Sequence, residues 1–102
     1  MKIKIRISLY KHHIAKGCIK NGENCPVARA VTDSLDESFD GFKVHVGYTC
    51  ITLYKEDNAY VANVPDKIRD SIKQYDKIGI MNPMEFDLKF KKLPLPKDII
   101  LC

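Results

Sequence analysis

The chain runs to 102 residues, 45% of them hydrophobic and 29% charged, so one ordinary core can close and a second cannot. Lys and Arg number 17 against 13 Asp and Glu, a formal net charge of +4 that suits an anionic partner or a solvated surface. No apolar run approaches the roughly 18–20 residues that span a bilayer, and the charges within Met1-Lys2-Ile3-Lys4-Ile5-Arg6-Ile7 deny a signal peptide its apolar stretch, which predicts a soluble, cytoplasmic protein with no membrane partner.

Ile3, Ile5, Ile7 and Leu9 alternate with Lys2, Lys4, Arg6 and Ser8, predicting a strand with one buried and one basic face. From Tyr10 onward Gly17, Asn21 and Gly22 interrupt any apolar period, leaving room for one short helical turn over 12–16 and then a loop. Pro26 opens a helix, because its missing N–H would be unpaired at a first helical position anyway. Val27, Val31 and Leu35 form the buried stripe of that helix, which ends between Asp36 and Gly41. Residues 42–46 and 50–54 alternate on either side of Gly47, and 59–63 return after a polar connection, predicting an antiparallel meander. A second helix begins at Pro65, buries Ile68, Ile72 and Tyr75, and stops at Gly79. Residues 84–90 alternate as a last strand, and 91–102, with Pro94 and Pro96, read as an extended tail. The order β-α-β-β-β-α-β predicts a single α+β domain over 1–102, a mostly antiparallel sheet with two helices packed on one face.

Charge is segregated along the chain. Residues 1–31 carry seven Lys and Arg against Glu23 alone, and 32–41 carry only Asp33, Asp36, Glu37 and Asp40. If the terminal strands pair, Lys2, Lys4 and Arg6 lie beside Lys89, Lys91 and Lys92 in a basic stripe that suits nucleic acid or an acidic protein. The available aromatics, Tyr10, Tyr48, Tyr54 and Tyr60, match no RNA-recognition signature, so nucleic acid ranks behind the other partners.

The cysteines at 18, 25, 50 and 102 form no CxxC pair, and their pattern predicts reduced thiols, with Cys50 a small buried residue of a strand. His12, His13, Cys18 and Cys25 supply soft ligands, but tetrahedral zinc favours tighter pairs than a seven-residue cysteine separation and two adjacent histidines, so no metal or other cofactor is expected. Cys25 precedes a helix, where the dipole lowers a thiol pKa, and His12, His13 and His45 are candidate bases. No orienting third group or oxyanion loop accompanies them, and Asp36-Glu37 and Glu56-Asp57 read as turn acids, so no catalytic residue is assigned. The same helix start offers another chemistry. Backbone N–H groups of Val27, Ala28 and Arg29, with Cys25 at the cap, Gly17 nearby and Lys16, Lys20 and Arg29 adding charge, suit a phosphate. The glycine spacing is not that of a nucleotide-triphosphatase loop.

The run Asn24-Cys25-Pro26-Val27-Ala28-Arg29-Ala30-Val31, preceded by His13-Ile14-Ala15-Lys16-Gly17, resembles a family of small uncharacterised proteins of bacteriophages and prophages. The segments Val64–Asp76 and Asn82-Pro83-Met84-Glu85-Phe86-Asp87-Leu88 resemble the same family, so the likeness spans about 13–88. The gap between Cys18 and Cys25 is longer than the family's CxxC-like form, which weakens any metal inference from it. The resemblance implies context rather than chemistry: a non-catalytic accessory protein that binds and inhibits or sequesters a host factor, such as a defence component. The alternative it leaves is a pocket protein for a nucleotide-like phosphorylated signal at the Cys25–Pro26 helix start. Tyr and Phe positions can line a homo-oligomer interface as readily as a core.

Overall fold

Strand β1 (Lys2–Leu9) enters a short helix α1 (Lys11–Lys16), followed by α2 (Pro26–Ser34) and a 3-10 turn at Glu37–Phe39. Then come the meander β2 (Lys43–Val46), β3 (Cys50–Lys55) and β4 (Asn58–Asn63), helix α3 (Asp66–Ile78) and strand β5 (Met84–Lys92). The computed structural model describes residues 2–17, 22–56 and 58–93. The α+β class, the antiparallel sheet and the packing of the helices on one face are as the sequence predicts. The expected 12–16 turn is realised as α1.

The five strands are ordered β1-β5-β4-β3-β2, and all pairs are antiparallel. Strand β5 is thus interior, and the register sets Ile3, Ile5, Ile7 and Leu9 opposite Phe90, Leu88, Phe86 and Met84 on the core face. Lys4, Arg6 and Ser8 fall opposite Lys89, Asp87 and Glu85 on the other, and Lys2 is in register with Lys91. Period-two alternation leaves Lys92 out of that basic stripe, a correction to the expected grouping. It pairs with Tyr60, whereas Lys91 pairs with Val61, and successive residues point to opposite faces. Lys91 and Lys92 also belong to β5 rather than to a tail; residues 94–102 lie outside the described residues.

Helix α2 starts as its sequence requires. Pro26 holds the first position, and the Cys25 thiol sulfur accepts the Ala28 N–H at 3.4 Å. Its Val27, Ala28, Ala30 and Val31 are wholly buried, and Leu35 forms its C-terminal cap. The helix touches both edge strands, β1 and β2, so the sheet curls around it. Ser34 Oγ accepts the Ser8 N–H of β1 at 3.4 Å, and Gly22 O accepts the Val46 N–H of β2 at 2.7 Å. Each open edge is thereby partly capped from the helical layer. Helix α3 begins at Asp66, with Pro65 as the residue before it, and ends on Gly79 at φ +73, a left-handed position that suits glycine. Its Ile68, Ile72 and Tyr75 join the same core as Ile51, Leu53, Leu88 and Phe90, and Phe39 and Tyr60 pack edge to face at one end.

Cys25 is a free, buried thiol, but Cys50 is disulfide-bonded. The expectation of reduced thiols throughout is therefore corrected. Burial of a strand cysteine is compatible with either state, so composition could not separate them. No helix among the described residues is long and apolar enough to cross a membrane.

Candidate functional site

Helix α1 is only six residues long, too short to persist on propensity alone, and a buried histidine secures it. The Tyr10 N–H, just before the helix, donates to Nδ1 of His13 at 3.0 Å. Since Nδ1 is an acceptor, the neutral ring carries its proton on Nε2, which donates to Asp33 Oδ2 of α2 at 2.7 Å. His13 is 3% exposed and has both nitrogens engaged, so it clamps α1 to α2. His12 follows the helical rotation to the surface, with its ring centroid 4.1 Å from that of His13 and its Nε2 3.9 Å from the same Asp33 oxygen. The Tyr10 ring stacks on both imidazoles, at 5.7 and 5.8 Å.

A cavity of about 410 Å³ opens beside this cluster. Helix α1 contributes His12, His13 and Lys16, the loop contributes Glu23 and Asn24, and α2 contributes Arg29, Thr32 and Asp33. The α2 residues stand three and four positions apart and so share one helix face. Asp33 is bound to His13, and Glu23 and Asn24 each hold a partner of their own. Lys16 and Arg29 have no carboxylate partner among the described residues, and Arg29 Nε is buried without a hydrogen-bond acceptor there. An adjoining cavity of about 360 Å³ shares His12, His13 and Asp33 and adds Arg6, Ser8, Tyr10 and Ser34.

One atom each of His12, His13 and Asp33 lie within 4.8 Å of one another, which raises a metal. The donor chemistry does not fit. A metal-bound histidine normally donates its second ring N–H to an acceptor, whereas the second nitrogen of His13 faces the Tyr10 N–H. A cation on Nε2 would force a proton onto Nδ1 and set two donors face to face. The cluster is a hydrogen-bonded clamp.

The residues expected at the start of α2 are divided by the structure. Lys16 and Arg29 reach the cavity. Cys25, Val27 and Ala28 are buried, and the Ala28 N–H is taken by the Cys25 sulfur, so the helix start is closed by the protein itself. Gly17 is needed for closeness, since a Cβ there would stand 2.5 Å from Pro26, and its carbonyl accepts the Tyr75 hydroxyl at 3.0 Å. Lys20 lies outside the described residues. The Cys25 thiol is pushed up by burial, which outweighs the opposing hydrogen bonds from the Ala28 and Val27 backbone. The helix-end lowering expected from sequence does not prevail. The sequence predicts His12 and His13 in a short turn as candidate bases or soft ligands and Asp33 only as part of an acidic run, and does not predict that His13 and Asp33 meet. The one available signal was the Arg29–Asp33 spacing of four on a helix.

On the basic sheet face, Arg6 lies 3.3 Å from Asp87 and 3.4 Å from Glu85, and Lys4 lies 3.6 Å from Asp87. These acids raise the Arg6 pKa and offset much of the stripe. Beside Lys89 and Lys91 a cavity of about 470 Å³ is floored by Val61, Asn63, Val64 and Pro65, with no aromatic ring on which a base could stack.

Comparison with protein families, with curated proteins and with solved structures finds no match to this chain.

Proposed function

We propose that this chain is a non-catalytic binding protein whose α1–α2 cavity holds a small phosphorylated anion. The observation that carries the reading is Arg29. Arg29 lines the cavity with no carboxylate partner among the described residues, and its buried Nε has no acceptor among them, an unpaired state that costs roughly 1–3 kcal/mol for a buried polar group. Lys16 stands in the same cavity without an acid partner among the described residues, whereas the carboxylate of Asp33 is committed to His13. A phosphate in the cavity supplies acceptors for the terminal guanidinium nitrogens and a counter-charge for Lys16, and guanidinium binds it with paired hydrogen bonds. The non-catalytic part rests on the candidate groups. Both nitrogens of His13 are engaged in hydrogen bonds, and burial raises the pKa of the Cys25 thiol. A cytoplasmic accessory protein that sequesters a ligand, the context implied by the phage-protein resemblance, agrees with such a site.

Thermal unfolding in inorganic phosphate or pyrophosphate, against chloride at equal ionic strength, tests this. Ligand at a hundred times its dissociation constant should add about 2.7 kcal/mol of stability. Arg29→Gln and Lys16→Ala should each remove most of that gain. No gain with any phosphate compound, or an equal gain in Arg29→Gln, overturns the reading.

A second reading, occupation of a host protein target, is supported by Ile78 and Ile80, which are 57% and 56% exposed on either side of the Gly79 turn. If they seat a partner, Ile78→Asp should abolish recovery of one defined protein from host lysate while leaving phosphate binding intact. Unchanged recovery of that protein would sink the second reading.

A further inference from the structure

We propose that the anion cavity and the smaller cavity beside it form one groove for a nucleoside monophosphate. Its phosphate lies at Lys16 and Arg29, its sugar at Asp33 and its base on the ring of Tyr10. This rests on the anion reading above and names the ligand class. The two cavities share His12, His13 and Asp33, so those residues form the floor between a cationic end and an aromatic end. The order along that floor is the order of a nucleotide.

At the aromatic end Tyr10 is 53% exposed, yet it is held by stacking on two imidazoles within 24° of parallel. A fixed, half-open ring costs little entropy to use as a platform, and stacking accepts any base because every base has a π-face. In the middle, Asp33 spends Oδ2 on His13 while Oδ1 has no partner among the described residues, and its side chain is 62% exposed. That leaves an acceptor for a ribose hydroxyl. Ser8, Ser34 and Arg6 at the aromatic end are already committed. Ser34 Oγ donates to Ala30 O and accepts the Ser8 N–H, Ser8 Oγ donates to Glu85, and Arg6 is held by Asp87 and Glu85. The seat therefore recognises the face of a base and not its edge, so adenine and guanine nucleotides should bind within a few-fold of each other.

Calorimetric titration with inorganic phosphate, ribose 5-phosphate and AMP tests the assignment. AMP should bind at least tenfold more tightly than ribose 5-phosphate. Tyr10→Ala should erase that difference without weakening ribose 5-phosphate, and Tyr10→Phe should retain it. The backbone of Tyr10, not its ring, donates to His13, so the substitution removes the ring's stacking on the imidazoles but keeps the hydrogen bonds of the clamp. In the unaltered protein, nuclear Overhauser contacts between the Tyr10 ring and the base protons of AMP provide a readout independent of folding of the variant. Equal affinity for AMP and ribose 5-phosphate, or equal weakening of both by Tyr10→Ala, overturns the base seat while the anion site stands. Failure of all three compounds to bind removes both.

Discussion

His13 shows how a single side chain fixes a site. Because Nδ1 serves Tyr10 and Nε2 serves Asp33, replacing the ring strands one backbone donor and empties a buried volume. His13→Ala should therefore cost about 2–3 kcal/mol in urea denaturation. Asp33→Asn keeps an oxygen to accept from Nε2 and should cost about 1 kcal/mol or less. Equal losses in the two would contradict the reading that the buried ring and its bond to the Tyr10 N–H carry most of the clamp. Cys25 yields a pH prediction. Its folded pKa is raised above the ordinary 9.0 by burial, so below that value folded and unfolded chains both hold the proton. Above it the unfolded chain releases the proton first, and stability falls as pH rises towards the folded value. Cys25→Ser keeps a cap for the Ala28 N–H but does not titrate in this range. The urea midpoint of the native protein should thus fall relative to that of the variant between pH 8 and pH 10. Parallel midpoints would show that the thiol carries no such linkage. Neither effect was legible in sequence. Asp33 is twenty residues from His13, a separation without a local pattern, and whether a capping cysteine is open or sealed depends on what packs over it.

At the scale of elements, the reading from sequence succeeded where one face alone is buried. Alternation located every strand, and Pro26 located α2 to the residue. It faltered at termini, where capping and pairing decide. Lys91 and Lys92 look like a charged tail, but β4 supplies partners for both. Pro65 looks like a first helical residue, but its ψ of 146 leaves it just outside. Helix α2 tests the logic of burial, since Val31 is fully buried in the core. Val31→Ala removes two buried methyl carbons and should cost about 2 kcal/mol, from transfer plus cavity. The exposed Thr32→Ala, one residue along, loses only its bond to the Ala28 carbonyl, which is typically worth about 1 kcal/mol or less. A comparable loss at both positions, measured by thermal unfolding, would refute the assigned burial face.

For the whole molecule the deciding feature is where β5 lies. The last described strand sits between the first, β1, and the meander strand β4. The sheet is not complete until β1 and β5 have paired. Helix α2 then spans from β1 to β2, joining the two edges of a curled sheet through one core. No subset of elements keeps a complete buried face of its own, so local unfolding of either edge should propagate. Loss of the Leu88 side chain from β5 should cost about 2–5 kcal/mol, a large share of the roughly 5–15 kcal/mol typical of a small domain. In Leu88→Ala, far-ultraviolet circular dichroism of the backbone should melt at the same urea concentration as near-ultraviolet dichroism of the tyrosines. The tyrosines report from distant places: Tyr60 packs with Phe39 and Phe42, Tyr75 reaches the Gly17 carbonyl, and Tyr48 lies against Asp76. Separate transitions for the two signals would mean that the β2–β3–β4 meander survives without β5 and that α2 does not couple the edges. The pairing of sequence-distant strands also predicts refolding in milliseconds to seconds rather than microseconds, because long loops must close before β1 gains its partner.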